Sequence, residues 1–286
     1  MSDLLGYLVT GLGIGAGFAL VASGLVAIYR VTRVVNFAQG AFAVLAAMLT
    51  ASLLGAGVPH GVAELGGVAL GACTGLLAGI VAIGRPGTSP GTSLIVTLGL
   101  GVLAYAIEIL IWGDQPRSFA GVPGAAEVGG ARLQAHYLLI IAVTGPVFAV
   151  MAWFFARTDL GKALSACASN RYAAQVVGID VRRMGLLAFA LGGALGGLAG
   201  VLTTPVQQVT FDSDVALIVN GFAAAVLGGL TRPGVALAGG LLLGVAQTLV
   251  AGYGGGAYQV EVALVLMLTV MIVQAARTGP VTEPAR

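Results

Sequence analysis

The sequence predicts an all-α, polytopic membrane protein with about nine transmembrane helices, eight to ten being compatible with the apolar boundaries. Three observations carry this. First, 58% of the residues are hydrophobic and 8% are charged, whereas a soluble domain needs about 25% charged residues to solvate its surface. Second, apolar runs of 18 to 25 residues recur along almost the whole chain, each long enough to cross a bilayer of about 30 Å at about 1.5 Å per residue. Third, the cations alternate: Arg30, Arg33, Arg85, Arg157, Lys162, Arg171, Arg182, Arg183, Arg232, Arg277 and Arg286 fall on one set of connectors, and only Arg117 and Arg132 on the other. Cationic connectors stay cytoplasmic, so the expected topology has an extracytoplasmic N-terminus and a cytoplasmic C-terminus.

The expected spans run from Leu5 to Tyr29, Phe37 to Ala56, Val62 to Gly84, Leu94 to Gly113, Tyr137 to Ala156, Met184 to Thr204, Ser213 to Leu230, Val235 to Gly252 and Gln259 to Ala276. The 46 glycines are about twice the usual share, which in lipid-crossing helices points to close backbone packing. Gly11, Gly13, Gly15 and Gly17 in the first span lack the strand-turn-helix context of a dinucleotide loop and read as packing positions. No basic n-region or small-residue cleavage site precedes that run, so it is expected to be kept as a helix. Asn36 and Gln39 enter the start of the second span. Buried amides there need a neighbouring helix or a water-filled path, with an interfacial cap by Asn36 as the alternative.

In the third span Gly67, Gly71, Gly75 and Gly79 recur every four residues and form one flat stripe for helix packing. The Arg85-Pro-Gly-Thr connector is turn-rich. Glu108 is the one acid inside an apolar run, about a turn and a half from the outer end of the fourth span; it marks a pathway or a pair, or else it snorkels to the interface. Residues 114–136 form the one sizeable outer loop, a candidate docking surface, in which Glu127 to Leu133 suggests a hairpin turning at Gly129-Gly130. His60 and His136 stand alone in opposite loops without ligand spacing, so no metal site is expected. Cys73 and Cys167 cannot form a disulfide framework.

The cytoplasmic connector 157–183 is the longest central stretch unsuited to a membrane. Within it Ala173, Val176 and Val177 fall at i, i+3 and i+4, the apolar face of a short helix, while Asn170, Arg171 and Gln175 keep it out of lipid. That pattern reads as a docking element for a cytoplasmic partner. Beyond it Gly192, Gly196 and Gly200 make a second packing stripe, with Gly193 and Gly197 beside it. Asn220 and Gln247 sit in two spans short enough to be incomplete helices; such amides line a substrate route or bond neighbouring helices.

No GxxxxGK[ST] loop is present, since Lys162 follows Gly161 but precedes Ala163, and no Ser/His/Asp or Cys/His set falls on one side. A single permease domain, 1–286, moving a solute on another protein's energy fits these features. A self-sufficient channel or ion-coupled carrier would have to rely on Glu108, and a lipid-modifying enzyme lacks a catalytic set.

Ala168-Ser-Asn-Arg-Tyr-Ala-Ala-Gln-Val-Val-Gly-Ile-Asp-Val-Arg-Arg, followed by the glycine-rich run from Leu186 to Gly200, resembles the coupling region of permease subunits of branched-chain amino acid ABC importers. Val35-Asn-Phe-Ala-Gln-Gly, Glu127-Val-Gly-Gly and the run from Leu227 to Gly244 resemble further motifs of the LivH-type half of that family, in the same order. The resemblance implies a LivM-type permease partner, two cytoplasmic ATPase subunits that bind ATP and Mg, an extracytoplasmic solute-binding protein, and residence in a bacterial inner membrane. It implies no cofactor on this chain and no nucleic acid. It places Asn170, Arg171, Ala173, Ala174, Val177 and Gly178 in the helix and turn that seat on the ATPase; the candidates for the translocation path, Asn36, Gln39, Glu108, Asn220 and Gln247, come from their own polarity within apolar runs. The chain departs from the family at Ser169-Asn170, where relatives have an acid, and at Gln39 and Ala41, where His and Glu are commoner. Branched-chain amino acids are the expected solutes, with urea, amides or small organic acids as alternatives, moved by alternating access.

Overall fold

The computed structural model describes residues 2–84, 88–128, 131–230, 233–254 and 259–278. Each expected apolar segment is a helix: α1 (Ser2–Thr32), α2 (Gln39–Gly55), α3 (Val62–Ile83), α4 (Pro90–Trp112), α5 (Ala135–Arg157), α8 (Val181–Thr203), α9 (Ser213–Leu227), α10 (Pro233–Gly254) and α11 (Gln259–Thr278). Six of them, α1, α3, α4, α5, α8 and α10, are long and apolar enough to cross a membrane, whereas α2, α9 and the apolar part of α11 are shorter. At 22 residues α10 is full length, which corrects the expectation of an incomplete helix there; of that pair α9, with 15 residues, is the short one. The connector folds into α6 (Asp159–Ser169) and α7 (Arg171–Val176). An antiparallel hairpin, β1 (Ala125–Val128) with β2 (Ala131–Gln134), pairs Glu127 with Arg132. The expected hairpin turn Gly129-Gly130, the Arg85 turn, the turn at Arg232, the tail with Arg286, and the side chains of Arg132 and Arg277 lie outside the described residues.

Glycine decides how the helices meet, with α8 at the centre. Gly193 and Gly197 lie against Gly71 and Gly75 of α3, so close that a Cβ on Gly71 would stand 2.6 Å from the Gly193 carbonyl oxygen. The neighbouring row faces the other way: Gly192 meets Gly24 and Ile28 of α1, Gly196 meets Gln39 and Phe42, and Gly200 meets Ala43. Gly67 abuts Thr50 of α2, and Gly79 lies under the Phe189 ring. On the opposite side of α1, Gly11 and Gly15 interlock with Gly240, Gly244 and Val245 of α10. In lipid no hydrophobic drive separates helix from solvent, so close van der Waals contact of this kind holds the bundle.

The chain enters α2 in an unexpected way. Residues 33–36 are not helical, and Gln39, at the first turn of α2, donates from Nε2 to the carbonyl of Gly192, 2.8 Å away, which is the middle of α8. Asn36 and Gln39 therefore lie deep in the bundle rather than at a membrane boundary. Irregular backbone at that level needs internal partners. Asn36 supplies them by accepting from the Ala38 N–H at 3.1 Å and donating to Gln39 at 3.2 Å, while Thr97 of α4 accepts from the Phe37 N–H at 3.3 Å. Asn36 closes a side-chain turn and does not cap α2, whose N-cap position is Ala38.

Candidate functional site

At the end of α8 where Thr203 and Thr204 lie, a cavity of about 450 Å³ opens between α1, α8, α9 and α10. Its polar groups include Thr203, Thr204, Gln207, Asn220, Gln247 and Thr248, and among the described lining residues there is no carboxylate, histidine, lysine or arginine. Several hydroxyls spend their protons on their own helices: Thr203 on the Ala199 carbonyl at 2.8 Å, Thr204 on Gly200 at 2.6 Å and Thr248 on Gly244 at 2.7 Å. Each such oxygen is left with lone pairs, so the wall is rich in acceptors. Phe18 and Ile14 add an apolar side. The surface suits a small, net-neutral solute with donor groups and an apolar part.

Asn220 and Gln247 are brought together here. Asn220 donates to the Ala216 carbonyl at 2.9 Å, which turns its own carbonyl towards Gln247, and Gln247 Nε2 donates to it at 2.6 Å. Both are buried, so removing one partner strands the other. Asn220→Leu is expected to cost about 1–3 kcal/mol, read as a lower Tm of the purified protein. Gln247→Met on that background is expected to cost less than it does alone, a coupling that two independent residues would not show.

The other path candidates do not line the cavity. Asn36 and Gln39 are consumed by the α2 entry described above. Glu108 is fully buried on α4, so it does not snorkel. Sequence reasoning passed over Thr203, Thr204, Gln207 and Gln208; the signal was the uncharged polar run Thr-Thr-Pro-Val-Gln-Gln closing an apolar span. His60 and His136 are not in opposite places: both line one depression of about 360 Å³ near the 119–123 loop. His60 pairs with Glu64 at 2.7 Å, while His136 accepts from the Val122 N–H and faces the Leu202 carbonyl.

The connector is built from capped short helices. Thr158 caps α6, Asn170 caps α7 through the Ala173 N–H at 3.0 Å, and Asp180 caps α8 through the Arg183 N–H at 3.0 Å. It is latched to α1 reciprocally, Arg171 donating to the Thr32 carbonyl at 3.3 Å and Arg33 to the Ala168 carbonyl at 3.2 Å. Each guanidinium thus meets the negative end of a helix. Gly178, at φ +88°, turns the chain out of α7 in the left-handed region that favours glycine. Tyr172, Val176 and Val177 are 76%, 70% and 75% exposed. Ala174, which the resemblance puts in the same helix, faces the other way and is buried with Val31, Leu164, Cys167 and Val181. Val181 and Leu164 take the side of α7 opposite Val176, so the valines of the i, i+3, i+4 face stay outward. Burial in the same cluster pushes the Cys167 thiol up, against the opposing pull of Arg171.

Comparisons with known proteins extend these observations. A family model described as "Branched-chain amino acid transport system / permease component" matches residues 7–275. The high-affinity branched-chain amino acid transport system permease protein BraD of Pseudomonas aeruginosa is 27% identical over 93% of this chain and 92% of its own. The D-allose transport system permease protein AlsC of Escherichia coli is 28% identical over 82% of this chain and 69% of its own. Among solved structures, PsaBC from Streptococcus pneumoniae in complex with Fab shares the fold with a TM-score of 0.54 at 14% identity, over 93% of this chain and 91% of that one.

Proposed function

Since the chain belongs to the branched-chain amino acid transport system permease family, we propose that it is the membrane subunit of an ABC importer that carries small net-neutral solutes, branched-chain amino acids first, into the cell. The observation that carries this reading is the division of the chain into two ends. One holds the uncharged polar cavity between α1, α8, α9 and α10; the other holds the exposed Tyr172, Val176 and Val177 on a connector rich in cations. In this reading nine helices cross the membrane, the cation-rich connectors are cytoplasmic, and the cavity faces outwards to receive solute from a binding protein. The partners are a LivM-type permease and two ATPase subunits, which supply the nucleotide site.

The mechanism follows from the latch. An ATPase seated on Tyr172, Val176, Val177 and the Gly178 turn moves α6 and α7, and Arg33 and Arg171 pass that displacement to the end of α1. Val181 and Ala188, packed in the same cluster, carry it into α8. Both helices reach the cavity, so its outer opening and its contact with α9 change together. The ATPase biases the two arrangements only by gripping one more tightly.

The test is uptake by proteoliposomes holding the chain with its companion permease, ATPases and binding protein. Leucine, isoleucine and valine are expected to accumulate with ATP and to compete with one another. Uptake of a sugar or urea, unaffected by excess leucine, would replace the solute; the uncharged cavity wall and the D-allose permease relative keep that second reading in view. Uptake that continues without ATPase would replace the importer with a carrier.

A further inference from the structure

His136 is the second residue of α5 and is buried, yet it does not line the uncharged cavity. It lines the outer depression of about 360 Å³, together with Val201, Leu202 and the 119–123 loop. The residues that follow in both helices face the other hollow: Tyr137 comes after His136 in α5, Thr203 and Thr204 come after Leu202, and all three line the cavity. One layer, made of the start of α5 and the end of α8, therefore separates the depression from the cavity.

His136 bonds that layer together. Its Nδ1 accepts from the Val122 N–H at 3.2 Å, so the ring proton is on Nε2, which donates to the Leu202 carbonyl 2.9 Å away. That carbonyl needs a donor from outside its own helix. Pro205 has no N–H to offer, and the N–H groups of Val206 and Gln207 both go to the Thr203 carbonyl, at 3.0 and 2.8 Å. A buried helix-end carbonyl so placed must be met by a side chain. The fit is close: a Cβ on Gly121 would stand 2.5 Å from His136 Nδ1 and 2.8 Å from the Pro205 Cβ. The same outer loop is tied down a second time, where Arg117 and Val209 exchange backbone bonds of 2.8 and 2.9 Å, and Val209 also lines the cavity.

We propose that His136 is a positioning residue for solute: its Nε2 bond to Leu202 is a strut that holds the end of α8, and with it Thr203 and Thr204, in place at the cavity, while its Nδ1 bond fixes the outer loop. What this does for solute rests on the importer reading; the strut itself does not. Two substitutions separate the two bonds. His136→Gln keeps a donor at the Nε2 position for the Leu202 carbonyl and loses the acceptor of Val122. His136→Asn keeps an acceptor at the Nδ1 position for the Val122 N–H and loses the donor to Leu202.

In proteoliposomes of the complete importer, solute taken up per ATP hydrolysed is expected to fall about tenfold in His136→Asn and in His136→Leu, the factor that an unpaired buried carbonyl corresponds to. In His136→Gln the ratio is expected to stay within about twofold of wild type. Loss of folded protein lowers uptake and hydrolysis alike and leaves the ratio unmoved, so a merely structural role would not produce this pattern. A wild-type ratio in His136→Asn, or a fall in His136→Gln as large as in His136→Leu, overturns the proposal. Hydrogen exchange of the purified full-length chain in lipid nanodiscs reads the strut without ATP, solute or partners. Exchange over residues 203–209 is expected to quicken in His136→Asn and not in His136→Gln, and exchange at Val122 to do the reverse. Unchanged exchange over 203–209 in His136→Asn overturns the strut whatever the uptake. If the wild-type complex takes up no solute, the importer reading fails and the exchange result alone decides the strut.

Discussion

Gly71→Leu is expected to abolish recovery of folded, monodisperse protein from the membrane, whereas Gly99→Leu is expected to be tolerated. The two glycines differ in surroundings and not in helix propensity. A Cβ on Gly71 would lie 2.6 Å from the Gly193 carbonyl oxygen and 2.9 Å from the Gly197 Cα, whereas a Cβ on Gly99 meets nothing within 4 Å. Overpacking in a core ordinarily costs about 1–3 kcal/mol because side chains can yield. Here the obstacle is the backbone of α8, which cannot yield without also pulling its other glycine row away from α1 and α2. The check is size-exclusion recovery and Tm of both variants; equal recovery would mean that α3 and α8 are not held together by this seam.

The double variant Val176→Glu and Val177→Glu is expected to lose more than nine-tenths of solute-stimulated ATP hydrolysis, roughly 1.4 kcal/mol or more of coupling, and to stop co-purifying with the ATPase. Its own Tm should not move, because both side chains are at least 70% exposed and exposed substitutions ordinarily change stability by less than about 0.5 kcal/mol. Gly178→Trp separates turn geometry from surface chemistry: there is open space around Gly178, but its φ of +88° strains any residue with a Cβ. Loss of stimulation in both variants places the docking surface on α7 and its turn. Full stimulation in the glutamate pair would move it elsewhere.

The helices were legible from the sequence because lipid leaves the backbone no other choice. An apolar run without water must satisfy its own N–H and C=O groups, so boundaries such as Val62 and Ser213 could be read from hydropathy alone. The cavity was only half legible. Asn220 and Gln247 stand out as amides in apolar runs, but their 27-residue separation says nothing of contact. Thr203 and Thr204 look like ordinary helix-end residues until α9 and α10 close around them. The inward side of α7 was not legible for a related reason: six residues of helix offer two plausible faces, and only Val31, Leu164 and Val181 decide that Ala174 is inward.

By itself, then, the sequence determined the class of protein, the run of helices, the segregation of its cations and the lack of a phosphate-binding loop, because these depend on composition and local spacing. Only the tertiary structure decided that α2 starts level with the middle of α8, that α8 presents two glycine rows to different neighbours, that two distant amides share one cavity, and that Glu108 is buried with no hydrogen-bond partner in the protein. The physical reason is that glycine, asparagine and glutamate in an apolar run each mark a demand, for close approach or for a hydrogen-bond partner. Which group meets that demand, or whether any does, depends on helices brought together from far along the chain.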